Sequence, residues 1–122
     1  MDPSQAIWDK KEMFGSLQVV MDSIPDGDNK ILRTLADQVR DKLKERTMVL
    51  LASTKDGKVS LGLGVTKDIA EQFNASKILQ PLAKEVGGTG GGRNDFAQAG
   101  GTDAAGIPRV FEGLRAWLKA NT

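Results

Sequence analysis

The chain has 122 residues, 39% of them hydrophobic and 27% charged, with a formal net charge of +1. That balance fits one ordinary globular domain; no apolar run approaches the roughly 18 residues of a membrane span, and no basic-then-apolar start reads as a secretory signal. Cysteine and histidine are both absent, which removes disulfides, thiolate chemistry, the commonest metal ligand and most general acid–base catalysis.

Residues 1–14 are polar and lack a clear period. They are expected to be an N-terminal segment, the end of an upstream helix or a cloning remnant, ahead of a domain over residues 15–122. Met1-Asp2-Pro3-Ser4 reads as such a remnant or as a cut through a longer protein. Trp8 belongs to no apolar stripe. Leu17 to Met21 reads as a strand, closed by the turn formers Pro25-Asp26-Gly27. Asp28 or Asn29 can cap a helix by accepting from its free N–H groups. Ile31, Leu32, Leu35, Val39 and Leu43 then recur at helical spacing and predict one apolar stripe.

Met48 to Ser53 is a nearly continuous apolar run, the pattern of a strand covered on both faces. Asp56-Gly57 leads into Val59–Val65, which alternates, so a hairpin with a type I′ turn is predicted. Gly62 and Gly64 on one face imply close packing there. Lys67 to Phe73 reads as a short helical piece. Ser76 is placed as the cap of a helix with the stripe Ile78, Leu79, Leu82 and Val86. A short strand follows near Phe96–Ala99. Pro108 suits the first turn of a last helix, whose stripe of Val110, Phe111, Leu114, Trp117 and Leu118 is expected in the core. The whole reads as α/β (α+β): a single compact domain, order βαββααβα, with a small mixed sheet packed by helices.

Charge is uneven along the chain. Residues 1–28 carry six acids and two bases, a net of −4. Residues 29–46 carry six bases (Lys30, Arg33, Arg40, Lys42, Lys44, Arg46) and three acids, a net of +3. That basic helix is either a solvated mixed-charge face or part of a surface that meets phosphate.

Eight of the 14 glycines lie between Gly87 and Gly106. Ordering them costs the most chain entropy, so the segment is either a flexible connector or a backbone that approaches something closely. An anion is one such object, since successive N–H groups can form a concave nest. Arg93 would add a planar fork that matches phosphate. The segment is expected to be ordered, with Val86 and Phe96 anchoring its two ends in the core. Gly87 to Gly92 has the spacing of a phosphate-binding P-loop, but Arg93 and Asn94 stand where lysine and a hydroxyl belong. NTP hydrolysis is therefore rejected. The GxGxxG dinucleotide pattern is absent.

The run from Val86 through Gly-Gly-Thr-Gly-Gly-Gly-Arg-Asn to Asp95, continued by Phe96-Ala-Gln-Ala-Gly-Gly-Thr-Asp-Ala-Ala105, resembles the signature of the DHH-associated domain, in the version that ends alanyl-tRNA synthetases. Leu32–Asp37, Gly57–Leu61 and Gly64–Asp68 resemble other parts of the same pattern, so the likeness runs from about residue 17 to 119. It implies a tRNA-binding module that helps the aminoacylation and editing domains of a parent synthetase use one alanine tRNA in the cytoplasm. In some members the region also holds two copies together. Relatives in DHH phosphoesterases bind nucleic-acid phosphate with the corresponding loop but carry histidine where Arg93 stands. Binding without hydrolysis is thus expected, with no catalytic residue, no metal ligand, no cofactor and no membrane contact. The RNA- or phosphate-facing residues implied are Gly90, Gly91, Gly92, Arg93, Gln98, Gly100 and Gly101. Two other readings are a protein-interaction or dimerisation module, and a phosphate-binding accessory domain of a DHH phosphoesterase.

Overall fold

A computed structural model describes residues 7–122; Met1 to Ser4, read above as a remnant, lie outside them. In chain order the elements are β1 (Glu12–Phe14), β2 (Leu17–Pro25), α1 (Asn29–Leu43), β3 (Thr47–Lys55), β4 (Lys58–Val65), α2 (Ala75–Ala83), β5 (Thr89–Gly92), β6 (Phe96–Gly101) and α3 (Ile107–Asn121). The strands form one six-stranded mixed sheet in the order β1-β2-β3-β4-β6-β5. Among the described residues only β2 and β3 run parallel, as a connection through α1 allows; the other neighbours are antiparallel.

The α+β class and the mixed sheet are as read. The order gains two strands, β1 and β5, that βαββααβα lacks, and the first of its paired helices is a 3-10 turn at Lys67–Ile69. The helix that follows is capped by Asn74, which accepts from Lys77 N, rather than by Ser76. Asn74 wins because its carbonyl oxygen reaches the third N–H, the geometry of a side-chain cap.

The sheet separates two apolar layers. On one face, Leu32, Ala36 and Val39 of α1 pack with Val20, Val49, Leu51, Phe96 and Ile7. On the other, Leu79 and Leu114 from α2 and α3 pack with Val19, Leu50, Leu61 and Leu63. β3 alternates between the layers, which is why its sequence is apolar at nearly every position. The α1 stripe runs through 32, 36 and 39, leaving Ile31 one residue off it and 44% exposed. Trp117, expected in the core, is 37% exposed and meets Phe73 edge-on at 6.0 Å. The β3–β4 hairpin closes on Asp56 and Gly57, both at positive φ (52° and 78°), as a type I′ turn requires.

A helical turn at 7–9 and the strand β1 come from the stretch that showed no period. Ile7 is buried under α1, and Lys42 Nζ sits 5.6 Å from the centroid of the Trp8 ring. Arg115 of α3 reaches β1 with a two-pronged contact, donating from Nη2 to Glu12 Oε1 at 2.8 Å and from Nε to Oε2 at 3.2 Å. Those bonds hold the Glu12 carboxyl below its ordinary value of 4.5. A carboxyl depressed in the fold contributes stability that is complete above its unfolded value and is lost as pH falls through the folded one. Urea midpoints should therefore fall as the pH drops below about 5, and Glu12→Gln should flatten that decline; a Gln variant with an unchanged profile would remove the pair as the cause.

Candidate nucleic-acid interface

The sheet has two ends. At one, β3 and β6 begin and β4 and β5 finish, with the C-terminal half of α1 above them. A groove of about 600 Å³ opens there. Arg33, Arg40 and Lys44 enter it from α1 and its last turn, Lys67 from the turn after β4, and Arg93 from the β5–β6 connection. Asp37, Asp41 and Asp95 line it too. The basic helix and the arginine of the glycine segment, singled out separately in the sequence, thus share one site. They meet because β4 lies between β3 and β6, so α1 packs over both the β4 end and the β6 start.

The cations are not equivalent. Arg40 is engaged by the fold: Nη1 donates to the carbonyls of Val65 at 3.2 Å and Asp95 at 3.1 Å, and Nη2 pairs with Asp37. Its guanidinium also lies 5.6 Å from the Phe96 ring centroid, and that of Arg33 lies 5.2 Å from it. Among the described residues Arg33, Lys44 and Lys67 form no ion pair. Arg93 is 67% exposed and sits 3.4 Å from Asp95. A surface pair of this length contributes roughly 0–1 kcal/mol, so Arg93 can exchange it for another anion.

The glycine segment is a strand, not a nest. Thr89–Gly92 pairs with β6, Gly90 opposite Ala99, Gly91 opposite Gln98 and Gly92 opposite Ala97. Arg93 N donates to Phe96 O at 2.9 Å. Antiparallel alternation then turns the Gly91 N–H into the ladder and those of Gly90 and Gly92 toward the open edge. Successive N–H groups in a strand point opposite ways, so three of them do not converge on one oxygen. The expected nest is corrected to two edge donors flanking a paired one. A Cβ on Gly90 would stand 2.4 Å from Ala99 Cβ, and one on Gly92 2.6 Å from Phe96 O. Close strand approach alone therefore accounts for glycine at both positions.

The remaining expected residues are spread along β6. Gln98 sits midway, its Nε2 donating to Asn29 O at 2.7 Å and tying the sheet to the start of α1. Gly100 and Gly101 lie at the far end, in a shallow groove with Gly87, Gly88, Lys58 and Thr102. Five strand steps separate Gly101 from Phe96, about 17 Å at 3.4 Å per residue. The set thus divides between two ends of the sheet. Lys44 belongs to the basic helix, whereas Lys67 lies in neither of the two stretches that the sequence marks. Their spacing to Arg93 in sequence carries no signal, and only the topology brings them beside it.

A third cavity, of about 360 Å³, lies between α2 and α3 and is apolar, with Ile78, Leu82 and Trp117 in its walls. Among the described residues no helix is long and apolar enough to cross a membrane.

The profile of the DHHA1 domain matches residues 16–120. Alanine–tRNA ligase of Herminiimonas arsenicoxydans is 45% identical over 102 residues, covering 84% of this chain and 12% of the ligase. That of Paraburkholderia phymatum is 43% identical over 104 residues, covering 85% of this chain and 12% of the ligase. The chain therefore spans about an eighth of the length of these relatives. Among solved structures, the C-Ala domain from Aquifex aeolicus alanyl-tRNA synthetase superposes with a TM-score of 0.84 at 31% identity, covering 90% of this chain and 98% of that one.

Proposed function

We propose, from the premise that this chain belongs to the DHHA1 domain family and is homologous to the C-terminal part of alanine–tRNA ligase, that it binds alanine tRNA for such an enzyme. It does so by backbone and shape contact, serving aminoacylation and editing domains in the cytoplasm rather than reacting itself. The observation that supports this most is the groove that joins Arg33, Lys44 and Lys67 to Arg93 at one end of the sheet. Duplex RNA is met mainly through phosphates, 2′-hydroxyls and shape, and a cationic groove beside an open backbone edge suits that. Affinity should be modest, because the net charge is only +1 and, among the described residues, no aromatic residue lines the groove.

The test is titration with alanine tRNA and with a second tRNA at two salt concentrations. Arg93→Ala should weaken binding by about 1–3 kcal/mol and lower the salt slope by about one. Arg93→Lys should recover part of the slope but less of the affinity, since lysine lacks the two-pronged donor. An alanine variant that loses stability while its folded fraction binds RNA as before would make Arg93 a partner of Asp95 only. The apolar cavity between α2 and α3 favours a second reading, in which this face docks another part of a synthetase or a second copy. Gel filtration separates self-association from RNA binding.

A further inference from the structure

Helices commonly end on a glycine in the left-handed region, where the missing Cβ removes the steric penalty. α1 ends instead on Lys44, at φ 75° and ψ −44°. Glu45 N donates across it to Leu43 O at 2.9 Å. That is a γ-turn of the positive-φ kind, which is rare and strained for an L residue. Two residues on, Arg46 is also at positive φ, 46°.

The surroundings over-determine this turn. Gln18 Nε2 donates to Glu45 O at 2.9 Å and to Leu43 O at 3.4 Å, so one side chain grips the carbonyls on both sides of Lys44. The hydroxyl of Thr47 donates to Glu45 O at 2.8 Å. Gln18 N donates to Arg46 O at 2.7 Å, and Asp68 Oδ2 accepts from Arg46 N at 2.9 Å. Strain of this kind persists only where neighbours enforce it, and it gathers at ligand clamps. Lys44 meets that description: it is among the residues that line the groove, with Lys67 and Arg93, and it forms no ion pair among the described residues.

We propose that Lys44 is a phosphate-binding residue of the groove, and that the γ-turn exists to hold its ammonium at the rim. The proposal rests on the groove being the RNA site. The competing account is that the turn is merely the shortest join between α1 and β3, and that glycine would serve there equally well. The two accounts diverge under substitution. Lys44→Gly removes both the strain and the charge; Lys44→Gln removes the charge and keeps the strained Cβ.

The experiment measures thermal unfolding and alanine-tRNA affinity at two salt concentrations for the 122-residue chain and both variants, with Arg93→Ala as reference. Lys44→Gly should melt higher than the parent while its affinity falls roughly tenfold and its salt slope drops by about one. Lys44→Gln should lose the same affinity without the gain in melting temperature. If Arg93→Ala weakens binding but both Lys44 variants bind as the parent does, the groove reading stands and Lys44 is only a join. If neither position changes the affinity or slope, both readings fail together. A glycine variant that melts lower than the parent would overturn the strained-turn assignment.

Discussion

Gly88→Ala will destabilise the fold by about 3 kcal/mol or more, whereas Gly91→Ala and Gly100→Ala will stay within about 1 kcal/mol of the parent. A Cβ on Gly88 would stand 1.7 Å from the carbonyl oxygen of Gly100 and 2.6 Å from its carbon. Both are backbone atoms of β6, so no rotamer change makes room. Gly88 cannot retreat either, because its N–H donates to Ala83 O at 3.0 Å. Overpacking against flexible side chains costs about 1–3 kcal/mol, and backbone on both sides puts this case at or beyond the top of that range. The controls differ in this respect. The nearest atom to a Cβ on Gly91 is Ser76 Oγ at 4.0 Å, and for Gly100 it is Val59 O at 3.7 Å. Alanine there also restricts the unfolded chain, which offsets small strains. Urea midpoints at constant slope provide the comparison. Equal stabilities for all three variants would mean the close approach of Gly88 to β6 is not as described.

Phe96→Ala carries the second large effect, a loss of about 3–5 kcal/mol. Phe96 is 4% exposed and begins β6 in the layer under α1. Gly62 and Gly64 make its berth: a Cβ on either would lie 3.6 Å or 3.2 Å from a ring atom. The guanidiniums of Arg33 and Arg40 lie 5.2 Å and 5.6 Å from the ring centroid, and that of Arg40 also borders Gly64. Truncation therefore opens a cavity and removes the surface that orients two groove cations. Each cation–ring contact is worth about 0.5–1 kcal/mol where exposed. A double-mutant cycle between Phe96→Leu and Arg33→Ala isolates that share and should return a coupling of this size; a coupling near zero would leave Phe96 a purely apolar anchor.

Much of this architecture is readable in the sequence, for identifiable reasons. β3 is apolar on both faces because it is covered on both. The hairpin is readable because Asp56-Gly57 accepts two positive φ values. What escaped is equally specific. β1 has three residues, too few for a period to register, and its Met13 is 56% exposed. β5 has only Thr89 and three glycines, so it offers no side-chain pattern; pairing with β6 alone makes it a strand. Ile31 and Leu32 are adjacent, and spacing alone does not decide which of the two faces the sheet. For the site, residue chemistry marked both Arg93 and the basic helix. Their union depends on strand order, which nothing local encodes. The strain at Lys44 has no sequence signature, because lysine, unlike glycine or asparagine, does not suggest a positive φ.

The glycine strand sets a limit on selectivity. β5 is the outermost strand, and past Thr89 it presents only main-chain atoms to whatever lies along it. Main-chain donors and acceptors are the same for every partner, and here they recur at a fixed interval of about 7 Å, two strand residues. Such an edge can add grip and set direction, but it cannot tell one ligand sequence from another. Discrimination has to come from groups with individual character. On this side of the molecule those are the charged side chains of the groove, Arg33, Lys44, Lys67 and Arg93 with Arg40 and the three aspartates beside them, so if the groove is the RNA site proposed above, selectivity is set by where it places its charges.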